Sequence, residues 1–167
     1  MRIWAFVAVA VLLTTLGLLW VRGESLQRLG RPELEAAAEK WKDQGIQDYD
    51  LTVQLEGRLS NVFRLQVEEG RVVAATRDGQ PMRLDRLPRA WSIDGMFDTL
   101  QADVSMLEAA ERGDSSGRFL KLLGVLDSQF GFPKRYLRLE MVKQGGNPEA
   151  GWRVLEFVPR PETPADE

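Results

Sequence analysis

Asp48–Glu56, DYDLTVQLE, decides the fold class. Tyr49, Leu51, Val53 and Leu55 alternate with Asp50, Thr52, Gln54 and Glu56. A period of two predicts a strand with one buried and one wet face. The residues just before it run on a different period. Leu34, Ala37, Ala38 and Trp41 recur at helical spacing, so a helix is expected from Pro32 to about Gln44. Pro32 suits the first helical position, and Glu33 and Glu35 oppose the positive end of the dipole. Lys40 and Lys42 occupy the last turn, and Gly45 supplies the stop.

The strand period continues downstream. Phe63, Leu65 and Val67 alternate within Asn61–Glu68, and Glu69-Gly70 is a tight hairpin turn into Arg71–Thr76. Asp78-Gly79 signals another turn, and Pro81, Pro88 and four arginines mark an irregular stretch. A second helix then begins. Ile93, Met96, Phe97, Leu100, Val104 and Leu107 follow a 3.6-residue repeat, with Ser92 as N-cap, Asp94 in the first turn and an end near Arg112. Residues 113–117, GDSSG, read as a loop. Three more strands are expected. Phe119–Leu126 is nearly continuous and apolar, as in a central strand. Arg135–Val142 alternates, with Leu137, Leu139 and Met141 on one face, and Trp152–Val158 closes the domain.

Upstream lies Ile3–Val21, IWAFVAVAVLLTTLGLLWV, an apolar run without a charge. As a helix it would be roughly 28 Å long, close to the thickness of a bilayer core. Trp4 and Trp20 sit near its ends, where indole rings favour the interface. A retained single-span anchor is the expected reading. Cleavage after Thr15-Leu16-Gly17 is the alternative, although apolar residues continue past that site. The expected fold class is therefore α+β. A single N-terminal transmembrane helix precedes a small domain whose mainly antiparallel sheet, in the order α-βββ-α-βββ, is covered by helices. The expected divisions are an anchor over 1–21, a linker over 22–31, the α+β domain over 32–158 and a disordered acidic, proline-rich tail over 159–167.

Composition narrows the chemistry. Hydrophobic residues form 44% of the 167, enough for a packed core. The net charge of -3 is too small to argue for nucleic acid or for an acidic partner, and no nucleic-acid partner is expected. The chain has neither cysteine nor histidine. Disulfides, thiolate metal sites, histidine-based triads and ordinary zinc sites are thereby excluded.

Few residues suggest a site, and each has a plainer reading beside it. Asp94 and Asp98, four apart on a helix face, could hold a hard cation, but a capping charge and a solvated face explain them. Tyr49 reads as an inward anchor and Asp50 as a wet neighbour. Gly131 and Pro133 shape the turn into the next strand. Arg77, Arg83, Arg86 and Arg89, with Trp91, could touch anionic head groups, but Asp78 and Asp85 dilute their charge towards a solvated loop. No catalytic, cofactor-binding or metal-binding residue is assigned.

In order along the chain, four features resemble a bacterial family catalogued as domain of unknown function 6174. They are the Trp41 helix followed by Tyr49-Asp50-Leu51-Thr52-Val53, the hairpin from Val67 through Gly70 to Val72, the stretch Ser92-Ile93-Asp94-Gly95-Met96-Phe97-Asp98, and Gly131-Phe132-Pro133 before a strand. The resemblance implies an exported, tethered domain and supplies no catalytic residues. It departs from the family in lacking cysteines between Gln54 and Asn61, and the acidic cluster expected before the last strand is reduced to Glu149. The implied orientation conflicts with the basic residues, since Arg22, Arg28 and Arg31 follow the apolar run while only Arg2 precedes it.

The functional expectation is a non-enzymatic binding or interaction module of the bacterial cell envelope. It would be held in the cytoplasmic membrane through residues 3–21, with its domain on the periplasmic side and an envelope protein or a ligand as partner. Two alternatives stand beside it. One is a carboxylate-dependent hydrolase acting outside the membrane, and the other is a structural domain pairing through its sheet edge.

Overall fold

The computed structural model describes residues 25–57, 60–87, 91–113, 119–141 and 149–160. Within them one eight-stranded sheet carries two helices. In chain order the strands are β1 (Gln27–Arg28), β2 (Tyr49–Gly57), β3 (Val62–Glu68), β4 (Arg71–Arg77), β5 (Gln80–Pro81), β6 (Phe119–Leu126), β7 (Pro133–Met141) and β8 (Glu149–Pro159). Helix α1 (Arg31–Asp43) lies between β1 and β2. Helix α2 (Ile93–Glu111) follows a short 3-10 turn, Leu84–Arg86, after β5.

The sheet order is β1-β6-β7-β8-β2-β3-β4-β5, and every neighbouring pair is antiparallel. Two meanders, β2 to β5 and β6 to β8, are thus joined along the seam of β2 with β8, which runs from Tyr49↔Pro159 to Gly57↔Ala150. Both outer strands are two residues long, which limits the edge offered to another chain.

These observations correct the expected fold class. The order is β-α-ββββ-α-βββ rather than α-βββ-α-βββ. The added strands β1 and β5 are too short to leave a periodicity in sequence. Among the described residues no helix is long and apolar enough to cross a membrane. The run Ile3–Val21, on which the transmembrane expectation fell, lies outside the described residues, as does the tail beyond Arg160. Part of the stretch read as a linker belongs to the sheet. Gln27 and Arg28 pair with Gly124 and Leu123, and Leu29 is a core residue. Arg28 and Arg31, which weighed in the orientation argument, are engaged by α2. The Arg28 Nη2 lies 2.6 Å from Glu111, and the Arg31 guanidinium holds both oxygens of Glu108 at 2.9 and 2.6 Å. That fork raises the Arg31 pKa and lowers that of Glu108.

Both helices contribute to one core on one face of the sheet, with Tyr49, Leu51 and Val53 of β2 beneath them. Two β-bulges keep that face apolar. At the β2–β8 seam Thr52 pairs with Glu156 and Val53 with Val154, so Leu155 is an extra residue, half exposed at 50%. The insertion resets the alternation. Trp152, Val154 and Phe157 all join or pack against the core, although strict alternation from Val154 would have brought in Glu156. On β4 the step from Val67↔Val72 to Gln66↔Ala74 leaves Val73 unpaired in the same way. One further expectation changes. The apolar β6 is next to an edge rather than central. On β7 the helix-facing residues are Tyr136 and Arg138, while Leu137 and Leu139 alternate to the opposite face.

The turns follow the sequence closely. Glu69-Gly70 and Asp78-Gly79 have positive φ at both positions, 49° and 72°, then 50° and 81°. That is the turn geometry that matches the twist of a hairpin.

Candidate functional site

Residues that carry the family resemblance form a structural joint. The Tyr49 hydroxyl accepts a hydrogen bond from the Ile93 N–H at 2.8 Å, holding the start of α2 on β2. Trp41 of α1 donates its Nε1–H to Asp94 at 3.1 Å, and Ser92 caps α2 by accepting from the Gly95 N–H at 3.2 Å. Trp41 also packs edge-on against Tyr49, Phe132 and Phe157, with centroids 5.7–6.3 Å apart. Asp94 therefore links two helices, and Asp98 is exposed. Among the described residues no group of three or more acidic residues is placed to hold a metal ion. Asp50 is exposed, 3.8 Å from the Arg160 Nε. Gly131, at φ 89°, lies where a Cβ would stand 2.7 Å from the Ala37 carbonyl oxygen, so it permits the close approach of its turn to α1.

Of the arginine group, Arg77 and Arg83 are described and exposed, whereas Trp91 is buried. Arg83 pairs with Asp85 at 2.8 Å. Residue 89 and the side chain of Arg86 lie outside the described residues. Trp91 is 7% exposed and stacks on Phe63 with centroids 4.6 Å apart, a core residue rather than a loop tip. Its Nε1–H is closed off from solvent without an acceptor among the described residues.

Trp91 instead helps to line a cavity of about 290 Å3 between α2 and the sheet. Met96, Thr99 and Asp103 descend from α2. Leu55 of β2, Tyr136 and Arg138 of β7, and Ala150, Gly151 and Trp152 of β8 form the opposite walls. Most of this surface is apolar. The polar groups gather on one side around Asp103, which is 5% exposed. Its Oδ2 accepts from the Tyr136 hydroxyl at 2.5 Å, and its Oδ1 accepts from the Arg138 Nη1 at 2.6 Å. Arg138 Nη2 lies 3.9 Å from Glu140. Thr99 turns its hydroxyl back to the Gly95 carbonyl at 2.9 Å. Trp152 and Tyr136 touch with centroids 4.6 Å apart.

Sequence reasoning passed over this cluster, although α2 carried a signal for it. Met96, Leu100, Asp103 and Leu107 lie on one stripe, so Asp103 is a carboxylate on the otherwise apolar core face of the helix. Arg138 left no comparable mark, because a charged residue on an alternating strand reads as part of a wet face.

Both tyrosines of the chain are buried, and their phenols are pushed well above the ordinary value. Burial is the main cause in each. The charge of Asp94 adds to it at Tyr49, and the hydrogen bond and charge of Asp103 add to it at Tyr136. The folded protein therefore prefers both phenols protonated. Their contribution is complete below about pH 10, the unfolded value, and is lost as pH rises beyond it, by about 1.4 kcal/mol per phenol per pH unit. Native protein at pH 11 should show almost no phenolate absorbance at 295 nm, which should appear together with unfolding. A titration of either phenol near pH 10 while the fold stays intact would refute this.

A model of DUF6174, a family of unknown function, matches residues 33–110. The match runs from the first turn of α1 almost to the end of α2 and includes Asp103, while Tyr136 and Arg138 lie beyond it. No curated protein and no solved structure matches the chain. The match supports membership of the chain in the DUF6174 family of unknown function.

Proposed function

We propose that this domain is a binding module of the bacterial cell envelope that seats a small, largely apolar ligand between α2 and the sheet. The cavity of about 290 Å3 carries the reading. It is concave and mostly apolar, with a few polar groups gathered at one side, the usual form of a small-ligand site. The hydrolase reading is less well supported. Two-carboxylate hydrolysis needs a pair about 5–10 Å apart, and Asp103 is the only carboxylate among the described lining residues, already held by Tyr136 and Arg138.

Titration with 3-phenylpropan-1-ol tests the seat. The indole N–H resonances of Trp91 and Trp152 should shift together and saturate. Thr99→Phe, which places a ring in the cavity from α2, should abolish the response while the protein stays folded. Unmoved indole resonances at millimolar probe would refute the proposal.

The envelope location rests on the charge-free apolar run at residues 3–21 and on the family likeness. Arg22, Arg28 and Arg31 count against it, but a long domain translocates largely regardless of flanking charge. An alkaline phosphatase fused after Glu167 should be active. An inactive fusion beside an active cytoplasmic reporter at the same point would reverse the orientation.

A further inference from the structure

We infer that the cavity selects an uncharged ligand, about the size of one substituted ring and bearing a hydroxyl or amide, over its carboxylate and ammonium analogues. The inference rests on the binding reading above and names the class of ligand. Size follows from the volume. An apolar cavity of about 150 Å3 accepts benzene, and this one, about 290 Å3, has room for a ring with a short substituent. The rings of Trp91, Trp152 and Tyr136 offer such a ligand an aromatic wall.

Charge selection follows from the polar side. Asp103 and Arg138 are the two ionised residues of the described lining, and their charges cancel. Neither is used up by the other. Each carboxylate oxygen of Asp103 accepts one hydrogen bond and keeps a further lone pair. Arg138 commits Nη1 to Asp103, and its Nη2 reaches Glu140 only at 3.9 Å, so N–H groups of the planar fork remain. A donor and an acceptor thus stand side by side. A hydroxyl or an amide satisfies both. A carboxylate gains Arg138 but meets the buried Asp103, and an ammonium gains Asp103 but meets Arg138.

The test is a matched series: 3-phenylpropan-1-ol, 3-phenylpropanoate and 3-phenylpropan-1-ammonium, titrated at pH 7 and followed by tryptophan fluorescence excited at 295 nm. The alcohol should bind at least about tenfold more tightly than either ion. Arg138→Gln leaves the lining one charge negative and should turn the preference to the ammonium. Asp103→Asn leaves it one charge positive and should turn it to the carboxylate. The wild-type series decides the matter even if a variant fails to fold. Binding of either ion as tight as that of the alcohol overturns this inference and leaves the binding reading standing. Saturable binding by none of the three overturns both.

Discussion

Gly151→Ala should lower stability by about 3 kcal/mol, and Tm by about 10 °C, more than any other glycine substitution in the sheet. Gly151 lies in β8, flanked by Leu137 of β7 and Glu56 of β2. A Cβ there would collide with the backbone oxygen of Tyr136 and stand 3.1 Å from the Leu137 Cα. Both obstacles are main chain, so no rotamer change relieves them. β7 and β8 must separate, and the ladder between Arg135↔Arg153 and Leu139↔Glu149 must stretch. Gly79→Ala is the informative contrast. Nothing lies within 4 Å of its Cβ position, and only the φ of 81° is at stake, so the cost should be about 1 kcal/mol. Urea melts of the two variants separate collision from conformational strain. If they differ by less than the error of the melts, β7 and β8 are not packed as tightly as described.

Asp103→Ala should come close in effect, with a loss of about 3 kcal/mol. The substitution strands the buried Tyr136 hydroxyl and removes the partner of Arg138 in one step. The Arg138 share is the smaller, because its side chain is 28% exposed and can turn towards water. Asp103→Asn keeps an acceptor oxygen and should lose roughly half as much, and Tyr136→Phe about 1 kcal/mol. In the double variant Asp103→Ala/Tyr136→Phe the losses should fall short of their sum by about 1 kcal/mol, since each single change removes the same hydrogen bond. Strict additivity would show that the two side chains are not coupled in solution.

The local elements were legible wherever one residue type has one physical use. Ser92 caps a helix, and Glu69-Gly70 and Asp78-Gly79 turn hairpins. What escaped was set by events between strands. The Leu155 bulge moves Phe157 towards the core, and no local pattern announces an insertion that only pairing with β2 defines. Which face of β7 meets α2 was hidden for a related reason. Leu137 and Leu139 form the more apolar row, yet the row that meets α2 holds Tyr136 and Arg138, because Asp103 waits there to receive them. Burial on that face is satisfied by hydrogen bonding as well as by hydrophobicity. Half of the candidate site was therefore visible only as an oddity on α2. The other half became visible when the strands were placed.

The edge strand β1 also has a mechanical meaning. A pull applied through the chain before residue 25 enters the fold at Gln27–Arg28, a two-residue ladder on the rim of β6. The Arg28–Glu111 pair beside it is exposed on both sides and adds little resistance. The long β2–β8 seam begins three strands away, at β8. Tension should strip this clip first and add a few residues of slack while Trp41, Tyr49 and Ile93 stay locked. The edge strand would then act as a fuse that yields before the core is loaded.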